Sequence, residues 1–177
     1  MAEYPSQYES DLLLNDGLQL RLRTIRRNDT EAWAAFISKL STHSKYLRFH
    51  HIIKKMGMED AQRFCSVDYK DSFALVVETL QEGHRDIVAT GSYNRLNGSN
   101  NAEFAVVVED AFQGKGIGTR IMAGLVKAAC DNGITTFECD ILTENYEMMA
   151  ILKDYGFKVA TKFEAGVFHA TFPIARV

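Results

Sequence analysis

The stretch FAVVVEDAFQGKGIGTRIM, Phe104–Met122, joins a run of valines to a helical pattern through a turn that contains three glycines. Backbone N–H groups without a Cβ in their way converge at the start of a helix and form an anion site. The stretch therefore predicts a strand, a glycine loop and a helix, and the loop favours phosphate binding. The alternative is a tight turn that needs glycine for its geometry alone.

The spacing of this loop excludes two common phosphate-binding motifs. The P-loop pattern GxxxxGK[ST] has no match in the chain. The dinucleotide pattern GxGxxG also fails, because Gly114, Gly116 and Gly118 alternate and the third glycine comes too early. The loop matches Q-x-x-G-x-G instead, over Gln113–Gly118.

Downstream of the loop, the pattern predicts a helix that Gly133 ends, a strand over TTFECDIL, and a helix over NYEMMAILKDYG that Gly156 ends. FKVATKF (157–163) and GVFHATFPI (166–174) then predict two closing strands.

The N-terminal half begins with a predicted hairpin around Asn15-Asp16-Gly17. A helix follows with Trp33 and Phe36 on its apolar face, and Asn28 or Asp29 is its candidate N-cap. THSKYLRFHH and GMEDAQRFCSVD predict two short helices, and SFALVVETL and DIVATGSYNRL predict strands joined by a turn at 81–85. This order predicts one α+β (mixed α/β) domain over residues 1–177, with a central sheet and helices on both faces.

Composition narrows the class of protein. The chain has 177 residues, 46% hydrophobic and 24% charged, which is typical of a soluble globular domain. The net charge of −3 gives no argument for nucleic acid, and we interpret the basic stretch RLRTIRR (21–27) as a solvated face, with contact to an acidic partner as the alternative. No stretch approaches the ~20 apolar residues of a membrane span, and no secretory signal is visible.

The cysteines and histidines predict no metal site. Cys65, Cys130 and Cys139 are an odd number with wide spacing, which favours reduced thiols in a cytoplasmic protein. His50 and His51 would point about 100° apart on a helix, so both cannot easily bind one ion. Cys139 has no visible base partner and is interpreted as a core residue.

From the loop outward, the sequence resembles the GCN5-related N-acetyltransferase (GNAT) superfamily over roughly residues 100–160. LS..S.YLRF at 40–49 and the later VDY at 67–69 resemble the GNAT domain of bacterial Pat-type protein-lysine acetyltransferases. The resemblance implies a mostly antiparallel sheet with one splayed parallel strand pair, and acetyl-CoA as co-substrate. The acetyl-CoA-binding residues that it implies are Val106, Val107, Val108, Gln113, Gly114, Lys115, Gly116, Ile117, Gly118, Thr119 and Asn145.

Glu103 is the candidate general base. Lysine is protonated at neutral pH, with a pKa of about 10.4, and a carboxylate near the thioester can remove the proton. The family places such a glutamate on this strand, whereas the residues alone also allow a strand-end glutamate facing solvent. Glu109 is the rival and is expected to be solvated.

Asn145 is predicted to cap the next helix, and the resemblance adds contact with the pantetheine arm or the pyrophosphate. Many family members carry a tyrosine seven residues later as general acid. Leu152 occupies that position here, with Tyr155 one turn on and Tyr146 close to the helix start. A protein-borne acid is therefore not assigned, because a thiolate with a pKa near 8.5 leaves readily.

The resemblance implies transfer of an acetyl group to a primary amine, with a protein lysine as the first acceptor and a small amine as the second. A non-catalytic acetyl-CoA-sensing module is the alternative from another class, and a nucleotide-binding protein is disfavoured by the missing P-loop. A homodimer through the C-terminal strands is a further expectation.

Overall fold

The computed structural model describes residues 3–50, 56–81, 83 and 85–175. The strands are β1 (Ser10–Leu13), β2 (Gln19–Thr24), β3 (Ser72–Thr79), β4 (Ile87–Arg95), β5 (Asn101–Val108), β6 (Thr136–Leu142), β7 (Ala160–Glu164) and β8 (Val167–Pro173). The helices are α1 (Thr30–Lys39), α2 (Thr42–Phe49), α3 (Met58–Cys65), α4 (Ile117–Asp131) and α5 (Tyr146–Tyr155). The predicted order of elements is confirmed.

All eight strands form one sheet in the order β1-β2-β3-β4-β5-β6-β8-β7. Every neighbouring pair is antiparallel except β5 and β6, which pair in parallel only over Asn101–Glu103 and Thr136–Glu138. Beyond Glu103, β5 stays paired with β4 up to Val108 but no longer pairs with β6. The predicted splayed parallel pair is therefore present, and it opens at Glu103.

Both faces of the sheet are covered, as the period-two pattern of β3 requires. Phe73 and Leu75 belong to the larger hydrophobic core with α4 and α5. Ala74 and Val76, which point the other way, pack in a second core with α1 and α3. The prediction of helices on both faces is confirmed. Among the helices of the described residues, none combines the length and apolar character that a membrane span requires.

The basic stretch at 21–27 is not uniformly solvated, which corrects the sequence interpretation. Arg23 is 7% exposed, and its guanidinium donates to both carboxylate oxygens of Asp29 at 2.7 and 2.8 Å and to Glu78 at 2.9 Å. Burial opposes this charge, but the two carboxylates hold the pKa of Arg23 above its usual value. Asp29 does occupy the N-cap position of α1, as predicted, but its side chain makes no capping hydrogen bond there, because its carboxylate bonds Arg23 and the Arg26 N–H.

Two element boundaries also differ from the prediction. The strand expected over 157–163 begins only at Ala160, because Phe157 packs between Tyr155 and Phe172 at ring distances of 4.4 Å each. Helix α2 ends at Phe49, since His50 has a left-handed backbone with φ of 59°. His51, Glu82 and His84, which belong to the predicted helix end and turn, lie outside the described residues.

Candidate functional site

A cleft of about 270 Å³ lies where β5 leaves β6 and α4 begins. Three segments that are far apart in sequence line it. They are the C-terminal half of β5 together with the glycine loop, helix α2 and helix α5. Because β5 is unpaired on one side here, its backbone groups are available to a ligand in the cleft. The cleft therefore offers a strand edge at its wall and a helix start at one end.

The glycine loop shapes that end. Gly116 precedes the first residue of α4 with φ of 79°, a left-handed conformation that favours glycine. No side chain caps the start of α4, so its first N–H groups remain available to an anion. Gly118 is needed for a different reason, because a Cβ there would come within 2.6 Å of the Ile151 Cδ1 of α5.

A hydrogen-bond network fixes α2 against the loop. Asp110 accepts from the Ser41 hydroxyl at 2.6 Å and the Ser44 hydroxyl at 2.9 Å. The Gln113 side-chain amide donates to the Ser44 hydroxyl at 3.2 Å and to the Val108 carbonyl at 3.0 Å. Burial raises the pKa of Asp110, but the hydrogen bonds from the two serines outweigh it and hold that pKa below its usual value. The glutamine of the loop pattern is thus a structural link between strand, loop and α2.

Ten of the eleven predicted acetyl-CoA-binding residues line the cleft. The exception is Lys115, whose ammonium forms a salt bridge of 2.5 Å with the Asp16 carboxylate in the first hairpin turn. Asn145 lines the cleft and also caps α5, because its side-chain oxygen accepts from the Met148 N–H at 3.1 Å. The capping role is confirmed, and ligand contact by these residues stays a prediction.

Glu103 is exposed and does not line the cleft itself. It is the last β5 residue paired with β6, opposite Glu138, and its β4 partner is Asn94. Val106, three residues further along the strand, is in the cleft wall. Glu103 is therefore positioned at the point where the two strands separate, outside the cleft lining.

The rival Glu109 is half-buried, so the expectation that it is solvated is wrong. Burial raises the pKa of its carboxyl group, with Lys39 acting against that shift. Its backbone N–H pairs with the Val88 carbonyl at 2.8 Å, at the end of the β4–β5 ladder.

Within the described residues, no tyrosine lines the cleft. Leu152, at the position of the family's general acid, is 1% exposed and belongs to the core. Tyr155 stacks on Phe157, and burial raises the pKa of its hydroxyl group. Tyr146 is 76% exposed at the start of α5. The described residues thus place no tyrosine in the cleft that could take over the role of the one that Leu152 replaces.

The sequence reasoning missed the contribution of α2 and of most of α5 to the cleft. Ser44, Leu47 and Arg48 line it from α2, at positions i, i+3 and i+4. This spacing places them on one helix face, and that signal is visible in the sequence. From α5 the additional lining residues are Glu147, Met148, Ala150, Ile151 and Asp154.

Cys139 is 9% exposed in the core, and burial raises the pKa of its thiol to about 12, with Asp140 and Glu103 adding to the effect. It is therefore an inert core thiol, as expected. The described part of the chain holds no group of three His, Cys, Asp or Glu side chains placed to bind a metal ion.

Known proteins are similar to this chain in sequence. The family model for the acetyltransferase (GNAT) domain matches residues 19–158. An acetyltransferase of Pseudomonas aeruginosa is 29% identical over 120 residues, which are 68% of this chain and 64% of that protein. The acetyltransferase Pat of Mycolicibacterium smegmatis is 29% identical over 136 residues, 76% of this chain and 40% of Pat. The chain thus spans less than two thirds of these curated relatives.

Solved structures share the fold. The GNAT domain of S. lividans PAT has a TM-score of 0.87 and 30% identity, covering 97% of this chain and 100% of that domain. The structure of yncA from Salmonella typhimurium with its cofactor acetyl-CoA has a TM-score of 0.68 and 16% identity, covering 89% of this chain and 94% of that one. With its glycine loop, its splayed strands and a family match over residues 19–158, the chain belongs to the acetyltransferases of the GNAT family.

Proposed function

We propose that the protein transfers the acetyl group of acetyl-CoA to a primary amine, with a protein lysine as acceptor and Glu103 as general base. The observation that carries this proposal is the opening of the β5–β6 pair at Glu103. The opening leads from an exposed carboxylate to a cleft that ends at the glycine loop. In this proposal Glu103 would act as the base just outside the cleft lining, and the glycine loop would bind the anion within it.

The residues of the cleft fit acetyl-CoA. The uncapped start of α4 and the loop N–H groups suit the pyrophosphate, and the free edge of Val106–Val108 suits the amides of the pantetheine arm. Bound acetyl-CoA supplies the acetyl group as a thioester. Lys115 can reach the phosphates only by leaving Asp16, so its contribution requires the exchange of one ion pair for another.

Glu103 would accept the proton that the acceptor ammonium must lose before its nitrogen can attack. An amine with a pKa of about 10.4 is almost fully protonated at pH 7, so a base is required. A leaving thiolate with a pKa near 8.5 does not require an acid, and no tyrosine within the described residues lines the cleft. The proposed mechanism therefore uses one carboxylate and no protein-borne acid.

A protein lysine is the proposed acceptor for two reasons. The sequence resembles the Pat-type protein-lysine acetyltransferases in its N-terminal half as well as in the glycine loop. The sheet surface beside Glu103 carries two further carboxylates, Glu138 as its β6 partner and Asp140 on the same face, where Asp140 contacts His169. A cationic side chain would be attracted to this surface. A small amine is the acceptor that the same chemistry also allows.

The test is acetyl-CoA turnover, followed as thiol release, with lysine-bearing proteins and small amines as acceptors. We expect Glu103→Gln to lower kcat by about 10²- to 10⁴-fold, the usual contribution of a general base, with the Kd of acetyl-CoA unchanged. Glu109→Gln, which changes the carboxylate directly after β5, is the matched control and should retain activity. Full activity of Glu103→Gln would remove this residue from the mechanism.

One observation favours a second candidate function, a non-catalytic acetyl-CoA-sensing module. The family's tyrosine is replaced by the buried Leu152, which is 1% exposed. In that case acetyl-CoA would bind to the wild-type chain, but no acceptor in the panel would release thiol. Binding without turnover would therefore replace the first proposal by the second.

A further inference from the structure

Arg48 brings a cation into the cleft, and no carboxylate among the described residues forms a salt bridge with it. It is half-buried on α2 and lines the cleft wall. Within the described residues, its guanidinium has one close contact, with the Phe49 ring at 4.9 Å, and no hydrogen bond or salt bridge. Burial lowers the pKa of Arg48 to about 10, and the charge of Glu103 opposes that shift. The side chain is therefore still a cation at neutral pH.

A partly buried Arg48 guanidinium is energetically unfavourable unless an anion or another hydrogen-bond acceptor pairs with it. A guanidinium removed from water needs hydrogen-bond acceptors, and a ring contact does not neutralise its charge. Arg23 in the same protein shows the usual solution, since its guanidinium donates to two buried carboxylates and to the Thr24 carbonyl. An unpaired guanidinium facing a ligand cleft indicates that the ligand itself supplies an anion.

The position of Arg48 along α2 indicates which part of the ligand it meets. Ser44 is fixed at the glycine-loop end of the cleft by its bonds with Gln113 and Asp110. Arg48 lies one turn further on, about 6 Å along the helix axis. It lines the same cleft as the glycine loop and lies near enough to Glu103 for that charge to act on its pKa. Arg48 therefore faces the region between the anion site and the base, where the acyl group would lie.

We propose that Arg48 binds a carboxylate at the far end of the acyl chain, so that the enzyme accepts dicarboxylic acyl-CoA thioesters, such as succinyl-CoA, besides acetyl-CoA. This inference rests on the proposed acyltransferase function. An acetyl group ends in a methyl group and leaves the guanidinium unpaired, whereas a terminal carboxylate can pair with it through two hydrogen bonds.

The carboxylate takes no part in the bond changes. The ammonium of the acceptor gives one proton to Glu103, and its nitrogen forms a bond with the thioester carbonyl carbon. The carbon–sulfur bond breaks, its electron pair stays on sulfur, and the second nitrogen proton ends on the thiolate. The products are an amide with a free carboxylate and the CoA thiol, so no oxidant or reductant is required.

The experiment compares succinyl-CoA with butyryl-CoA, which has the same number of acyl carbons and no terminal charge, and with acetyl-CoA. The full chain is assayed as wild type, Arg48→Met and Arg48→Lys, and Arg27→Met removes an exposed guanidinium outside the cleft as the matched control. We expect Arg48→Met to lower the ratio of kcat/KM for succinyl-CoA to kcat/KM for butyryl-CoA by about 10- to 100-fold. Arg48→Lys should retain part of the preference, and Arg27→Met all of it.

Three results would overturn the inference. Wild-type enzyme that uses succinyl-CoA no better than butyryl-CoA has no carboxylate site. An equal loss with every thioester in Arg48→Met would assign Arg48 to the CoA phosphates or to Glu103. If no thioester is turned over, the proposed function fails, but the Kd values still decide: an equal Kd of succinyl-CoA in wild type and Arg48→Met would contradict the carboxylate site independently.

Discussion

Gly116 and Gly118 belong to one sequence pattern but meet different physical requirements. Gly116 has a φ of 79°, and a Cβ there would find open space. Gly118 has an ordinary helical backbone, but α5 packs directly against it through Ile151. The first glycine therefore shapes the backbone of the loop, and the second sets how closely α4 and α5 approach.

These two requirements predict different outcomes for alanine substitutions. Gly116→Ala should lower the free energy of unfolding by about 1–2 kcal/mol, because alanine resists the left-handed conformation. Gly118→Ala should be destabilising because its methyl group would lie 2.6 Å from the Ile151 Cδ1 atom. Ile151→Val deletes that atom, so combining it with Gly118→Ala should restore part of the loss. Urea unfolding of the single and double variants measures this coupling.

The matched test is Ile151→Val combined with Gly116→Ala. This pair should be additive, because the Gly116 position has no contact for Ile151 to relieve. Additivity in the Gly118 pair as well would contradict the packing explanation.

At the scale of the elements, Asp110 determines how α2 is held against the glycine loop. Its carboxylate accepts from the Ser41 and Ser44 hydroxyls and from the Ser41 N–H. Because the folded-state pKa of Asp110 is lower than its usual value, the ionised form contributes stability above the usual pKa of about 3.9. That contribution disappears as the pH falls through the folded-state pKa.

Asp110→Asn should therefore destabilise the protein at pH 7 by about 1 kcal/mol, a modest value because Asp110 is exposed. The difference between wild type and variant should shrink as the pH falls below the folded-state pKa. Urea unfolding at neutral and acidic pH measures it, and Asp11→Asn, at an exposed position on β1, is the control. A difference that stays constant with pH would exclude ionisation of Asp110 as its source.

Local patterns predicted which elements form, whereas long-range contacts decided how several of their residues are used. Arg21 and Arg23 look equivalent in an alternating strand, but Arg21 donates to Glu9, 12 residues earlier, whereas Arg23 donates to Glu78, 55 residues later. Likewise, Lys115 has the sequence context of a phosphate-binding lysine, and its salt bridge is with Asp16, 99 residues earlier. Such pairings depend on which strands and turns become neighbours in the finished sheet, and no local period encodes that.

In the candidate site, too, some features follow from local sequence signals and others depend on long-range contacts. The backbone part of the cleft follows from the strand, the glycine loop and the capping Asn145, all of which have local signals. The contribution of α2 does not, because its face toward the cleft depends on how Asp110 and Gln113 hold the helix. Arg48 was therefore visible in the sequence as part of a family pattern, but its place in the cleft was not.

At the scale of the whole molecule, the cleft connects α2, β5 and α5, which come from distant parts of the chain. A ligand that binds only the folded state stabilises it by about 2.7 kcal/mol at a concentration of 100 times its Kd. We expect acetyl-CoA at that concentration to raise the stability by this amount and to slow amide hydrogen exchange in α2, the glycine loop and α5 together. Exchange measured by mass spectrometry checks this pattern, with β1 and β7 as internal controls that should not change beyond the global effect.

Slower exchange confined to the loop would contradict a site that all three segments share. Unchanged exchange throughout, at a ligand concentration that saturates binding, would place acetyl-CoA outside the cleft.

The short β5–β6 pairing also has a mechanical consequence. Three residues on each strand join a five-stranded half of the sheet, β1 to β5, to a three-stranded half, β6 to β8. A force that separates the two halves would break this short pairing first. On the cleft side of Glu103, β5 and β6 share no backbone hydrogen bonds that could resist it. A pantetheine arm that pairs with the free edge of β5 would add hydrogen bonds where the two strands no longer pair. The bound substrate would then raise the mechanical resistance of the sheet at its weakest connection.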